Sequence, residues 1–108
     1  MTLSSALEGA DLTVYVDDSC IPAKVGRHDA RWSHLFADTQ EELHEFAASI
    51  GLRRSWFQPG RPQPDGTPSH LWHYDVTGRK RHQAIEAGAV PVTWRQAAEM
   101  MTARRQKP

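Results

Sequence analysis

The chain has a single cysteine, no long apolar run and no net charge, and each lack narrows what it can be. Cys20 stands alone and no Cys-x-x-Cys occurs, so the sequence encodes neither a disulfide framework nor a thiolate zinc site. No apolar stretch approaches the roughly 20 residues that a transmembrane helix needs, so no membrane association is expected. Residues 1–12 lack a basic start with an apolar centre, so no secretory signal is expected and a cytoplasmic protein is. Walker and dinucleotide-binding glycine patterns, His-Glu-x-x-His and the nucleophile elbow are all missing. Nothing around Cys20 marks it as a nucleophile.

The zero net charge conceals an asymmetry. Residues 1–50 hold Glu8, Asp11, Asp17, Asp18, Asp29, Asp38, Glu41, Glu42 and Glu45 against only Lys24, Arg27 and Arg31. The remaining residues hold Asp65, Asp75, Glu86 and Glu99 against ten bases. Either the two halves pack together and neutralise each other, or the basic half presents a face to phosphate or nucleic acid.

The 108 residues fit one small domain, 1–108, with a core from about 12 to 103 and mobile termini. Leu12 to Asp17 is rich in β-branched and aromatic residues and reads as a strand. A loop with Pro22 and Gly26 follows. Arg31 to Ala37 reads as a second strand, with Trp32, His34 and Phe36 on one face. Thr39-Gln40-Glu41-Glu42 is a capping box, and the helix it opens runs to about Ile50. Its stripe is Leu43, Phe46, Ala47 and Ile50. His44, about 100° round the helix from Leu43, borders that stripe, a position suited to the lip of a pocket.

Ser55 to Gln58 reads as a short strand. Residues 59–69 contain four prolines and two glycines and can only be a surface loop. His70 to Val76 reads as a strand with Leu71, His73 and Asp75 on one face and Trp72, Tyr74 and Val76 on the other. Thr77 caps a helix from about Gly78 to Ala87. Val90 to Val92 is extended. Thr93-Trp94-Arg95-Gln96 is a second capping box, opening a helix with Trp94, Ala97, Ala98 and Met101 inward and Arg104 and Arg105 at its negative end. This order predicts an α/β fold: a small mixed β-sheet of about four strands with about three helices packed on it.

Several of these segments together resemble a known family. They are Tyr15-Val16-Asp17, Trp32-x-His34-Leu35-x-Ala37-Asp38, Glu42-Leu43-His44-x-Phe46-Ala47, Ile50-Gly51-Leu52, Trp56-Phe57-Gln58, His73-Tyr74-Asp75-Val76 and Arg81-x-x-Ala84-x-x-x-Gly88-Ala89. Over roughly residues 13–92 the chain is similar to the bacterial and phage domain-of-unknown-function family 4031. The resemblance implies a small cytoplasmic domain and transfers no catalytic residue.

The chemistry must come from the residues. His73 and Asp75, two apart on a strand, project to one side about 7 Å apart. They can share a metal ion, or the carboxylate can orient the imidazole as a base; the plain alternative is a hydrogen bond between two half-buried groups. Asp17 and Asp18 end the first strand, where an acid can hold a hard cation or close a turn. Asp17 is the better candidate, since it shares a strand face with Tyr15. His34 lies between two aromatics and reads as a satisfied core histidine. Asp38 is accounted for by the helix it precedes. His73, Asp75, Asp17 and His44 are therefore the catalytic candidates, with a divalent metal compatible but not signalled by spacing.

A separate signal is Arg79-Lys80-Arg81, three cations at a helix start where the dipole is already positive. An anion there would reverse the penalty. With Arg54 they form the expected phosphate-binding set. The sequence thus points to a His/Asp site acting on or binding a phosphate-containing ligand, a nucleotide or nucleic acid. As an enzyme it would be a metal-dependent hydrolase of phosphoester bonds. The alternative is a non-enzymatic nucleic-acid or protein interaction module, homo-oligomers included, whose His/Asp signature is a structural polar network.

Overall fold

The computed structural model describes residues 13–104. Its elements in chain order are β1 (Val14–Val16), β2 (Ile21–Val25), β3 (His28–Ala37), α1 (Gln40–Ser49), a 3-10 turn (Arg54–Trp56), β4 (Phe57–Gln58), β5 (His73–Thr77), α2 (Gly78–Glu86), β6 (Val90–Pro91) and α3 (Trp94–Arg104). The fold is mixed α/β, with three helices packed on one mixed sheet. That sheet has six strands among the described residues instead of about four, in the order β4-β5-β3-β1-β6, with β2 also on β3. Among the described residues only the β1–β6 pair is parallel. The expected start at Leu12, the mobile termini and Arg105 fall outside the described residues.

β3 organises the sheet. Its second half pairs with β1 and its first half with β2, while β5 pairs along the opposite edge from Trp32 to Leu35. β1 and β2 therefore form one interrupted strand. Val16 faces Leu35 and Ile21 faces Trp32, so the four residues Asp17 to Cys20 stand against only Ser33 and His34. This bulge breaks the ladder and turns side chains toward the neighbouring strand. Cys20 absorbs the turn at φ 48°, in the left-handed region.

β2 was expected as loop. All five of its residues are exposed, so no apolar alternation betrays it. Pro22 is tolerated because β2 is an edge strand. The hairpin to β3 turns at Gly26, whose φ of 61° suits glycine. At the other boundary, β5 begins at His73 and not at His70.

The helix starts are those the threonines specify. Thr39 Oγ1 accepts from the Glu42 N–H at 3.2 Å, and Thr77 Oγ1 from the Lys80 N–H at 3.3 Å. The Glu42 carboxylate accepts from the Thr39 hydroxyl at 2.8 Å, not from a backbone N–H as the box predicts. The box at α3 is complete: Thr93 Oγ1 accepts from the Gln96 N–H, and the Thr93 N–H donates to the Gln96 side chain.

The sheet has two unequal faces. Helices α1 and α2 cover one, burying Val14, Val16, Leu35, Tyr74 and Val76 against Leu43, Ala47, Ile50 and Ala84. On the other, α3 covers only the end near Phe36, with Ala97 and Met101 buried. Trp94, expected inward on α3, is 56% exposed, and Ala98 is exposed too. The uncovered remainder of this face carries His34, His73 and Asp75. No helix among the described residues is long and apolar enough to cross a membrane.

Candidate functional site

His34 and Asp75 are direct cross-strand partners, and His73 is two residues along β5 on the same face. One potential ligand atom from each of the three lies within 4.8 Å of the others. The His34 and His73 rings meet edge to face at 4.8 Å between centroids. Strand alternation and register alone produce this cluster.

The outer partners decide which ring nitrogens face inward. A carboxylate can only accept, so the Asp17 Oδ2 contact to His34 Nδ1 at 2.7 Å places the proton on Nδ1. His34 Nε2 is then the nitrogen available to a ligand. His73 Nδ1 sits 2.8 Å from the Leu71 carbonyl oxygen, which fixes a proton there by the same logic. His73 Nε2 in turn approaches Asp75 Oδ1 at 3.1 Å. That contact is either an imidazolium–carboxylate hydrogen bond, with the proton on Nε2, or a pair of donors to one metal ion.

Asp17 is buried in the bulge, and its carboxylate is fully subscribed. It accepts from the Ser19 N–H (3.1 Å), the Ser19 hydroxyl (2.7 Å), the His34 N–H (2.9 Å) and the His34 ring. Burial alone would push its pKa up. The bonds from His34 and then Ser19 outweigh that and hold it at about 2. The same Asp17–His34 bond raises the pKa of His34 against the opposing effect of burial. For Asp75, burial also pushes upward, and the bond with His73 wins, keeping the carboxyl below its ordinary range.

The cluster straddles two openings. One, of about 530 Å³, is lined by His34 and His73 with Ile21, Leu71, Trp94 and Met101. The other, of about 1070 Å³, is lined by His34 and Asp75 with Arg27, Trp32, Trp56 and Arg79.

Of the residues expected from sequence, His73 and Asp75 lie together. Asp17 reaches them through the His34 ring and has no lone pair left to ligate. His44 lies on the opposite face with Tyr74, sharing a 2.9 Å hydrogen bond with its hydroxyl and packing on Phe57. The expected phosphate set is dispersed. Arg79 and Lys80 line the larger cleft, but the Lys80 ammonium donates to the Ile50 carbonyl at 2.5 Å, capping α1. Arg81 donates to the Asp17 carbonyl at 2.8 Å. Arg54 is exposed and outside the cleft lining, near enough to His44 to affect its titration. His34, expected as core, belongs to the cluster. The one sequence signal for it was its alternation with Trp32, which becomes informative once β3 is known to pair with β5.

His44 carries a prediction of its own. Burial, and secondarily the Arg54 charge, pushes its pKa down. A depressed imidazole gives stability that is full above the unfolded value near 6.5 and declines as pH falls below it, because the unfolded chain takes the proton first. Urea midpoints at pH 7.5 and 5.5 should fall further for the wild type than for His44→Gln. Equal falls in both proteins would remove His44 from the acid response.

No curated protein and no solved structure matches the chain. The family model described as "Protein of unknown function (DUF4031)" matches residues 14–104, a span that contains the whole cluster and both openings, and the chain belongs to that family.

Proposed function

We propose that the protein is a divalent-metal-dependent hydrolase of phosphoester bonds, with His34 Nε2, His73 Nε2 and Asp75 as the ligands. The observation that carries this reading is the 3.1 Å approach of His73 Nε2 to Asp75 Oδ1, with the other nitrogen of His73 committed to the Leu71 carbonyl. Two imidazoles and a carboxylate suit zinc, manganese or iron(II) and leave coordination positions open. Asp17 and the Leu71 carbonyl are the outer hydrogen-bond partners that metal-bound histidines ordinarily keep. One ligand atom from each residue lies within 4.8 Å of the others, so these three side chains would hold the ion together.

The ion would polarise a phosphoryl oxygen and lower the pKa of a bound water toward about 7. The water oxygen would form the new bond to phosphorus while the ester P–O bond breaks, its electron pair leaving with the ester oxygen and the water's proton ending on that oxygen. Arg79, at the cleft wall, would hold a non-bridging oxygen.

Calorimetric titration with Zn²⁺ and Mn²⁺ tests the site directly. One ion per chain is expected. His73→Ala should raise Kd by at least the roughly 10–100-fold seen when an outer partner of a metal ligand is lost, and should abolish any metal-dependent hydrolysis of bis(4-nitrophenyl) phosphate. Ion binding that is absent, or unchanged in His73→Ala, would remove the proposal.

A further inference from the structure

We infer that the larger cleft is the seat of a nucleoside phosphate, its base against Trp32 and Trp56 and its phosphate between Arg27, Arg79 and the His/Asp cluster. This names the substrate class of the hydrolase proposed above and rests on that reading for the chemistry, though not for the binding. Three observations carry it. First, the only acid lining the cleft is Asp75, itself a candidate ligand, while Arg27, Arg79 and Lys80 line it as cations. Second, neither Arg27 nor Arg79 makes a side-chain hydrogen bond or ion pair among the described residues, unlike Lys80 and Arg81, which cap carbonyls. Two guanidiniums without partners among the described residues, beside one carboxylate already paired with His73, make an anion site. Third, the cleft offers indole surface. Trp56 is 46% exposed, and Trp32 is fixed by donating its indole N–H to the Ala23 carbonyl at 2.9 Å. A fixed aromatic gives stacking area with little ordering to lose. The volume of about 1070 Å³ is at the upper end of small-molecule sites, enough for base, sugar and phosphate.

A free nucleotide and the end of a single strand share this chemistry, and the test separates them. Calorimetry in EDTA compares adenosine 5′-monophosphate, ribose 5-phosphate and the pentanucleotide dA5. The nucleotide should bind roughly tenfold tighter than the sugar phosphate, the advantage that one base–aromatic contact provides. Trp56→Ala should erase most of that advantage. Arg27→Ala with Arg79→Ala should weaken both ligands by roughly tenfold. These positions are exposed, so unchanged melting temperatures serve as the folding control. If dA5 binds more tightly than the mononucleotide, the natural ligand is a strand; equal affinity supports a free nucleotide. Sugar phosphate and nucleotide binding alike, or no loss in the tryptophan and arginine variants, would overturn the inference. Because EDTA removes ions, nucleotide binding here together with a failed metal titration would sink the hydrolase and keep the cleft. The reverse result would do the opposite.

Discussion

Asp17→Ala is expected to lower the melting temperature by about 12–32 °C and to weaken metal binding in any protein that still folds. Asp17 is 2% exposed, and its carboxylate accepts from two backbone N–H groups, a hydroxyl and an imidazole at the bulge. Truncation leaves the Ser19 and His34 N–H groups without partners, at about 1–3 kcal/mol each, with relief from one desolvated carboxylate in return. A net loss of about 3–4 kcal/mol is a large part of the stability of a domain this size, and each kcal/mol shifts its melting point by about 4–8 °C. The Asp17 backbone also closes the bulge, donating to the His34 carbonyl and accepting from Arg81, and alanine keeps those contacts. Bulge collapse is thereby separated from loss of the carboxylate.

Asp17→Asn divides the two roles. The amide oxygen can still accept from the backbone N–H groups, so most of the stability should return. No charge remains opposite His34 Nδ1, so metal affinity should stay roughly 10–100-fold down. A melting curve and a zinc titration on each variant check both parts. Asp17→Ala melting within 5 °C of the wild type would show that Ser19 and His34 find other partners, and Asp17 would lose its place as the positioning residue.

The part of this site legible in the sequence follows from where its information resides. Alternation within one strand fixes which side chains share a face, so His73 and Asp75 together, with Tyr74 opposite, could be read directly. Helix starts were legible for the same local reason: a threonine hydroxyl at the cap accepts the backbone N–H three residues on, at Thr39, Thr77 and Thr93 alike. His34 was not legible, because its role depends on the β3–β5 register, which brings His34 opposite Asp75 and is set by contacts forty residues apart. The β2 strand was hidden because both its faces meet solvent. His44 shows the opposite error. Its position at the edge of a helix stripe was read correctly as half-buried, but the stripe faces the Tyr74 side of the sheet, and only the three-dimensional pairing determines which face that is. The basic cluster is a further case. Sequence records charge, not what charge is already neutralising, and two of the expected phosphate residues are occupied with backbone carbonyls.

Arg104 is the clearest case of a charge used this way, and its removal is the second large effect expected. It was assigned to the negative end of α3. Its guanidinium instead donates to the carbonyls of His70 (2.9 Å), Trp72 (3.0 Å) and Ala37 (2.6 Å). It also stacks at 3.4 Å from the Trp72 ring centroid. Burial pushes its pKa down to about 10, which still leaves it charged at neutral pH. One fork thus ties the end of α3 to the end of β3 and to the segment entering β5. Arg104→Ala leaves three carbonyls and an indole face without their partner, and about 3–4 kcal/mol should be lost, roughly 12–32 °C. Arg104→Lys restores a charge but only a compact point donor, and should recover less than half. The consequence for the site is specific. Leu71, whose carbonyl orients His73, lies between the two β5-side acceptors. Loosening that segment frees the His73 ring, and zinc affinity should fall in Arg104→Lys even at temperatures where the protein is fully folded. Lysine rescuing both melting temperature and zinc affinity would mean that charge alone holds the segment. A lysine variant that folds fully yet binds zinc less tightly would instead show that the planar fork, through Leu71, sets the orientation of His73.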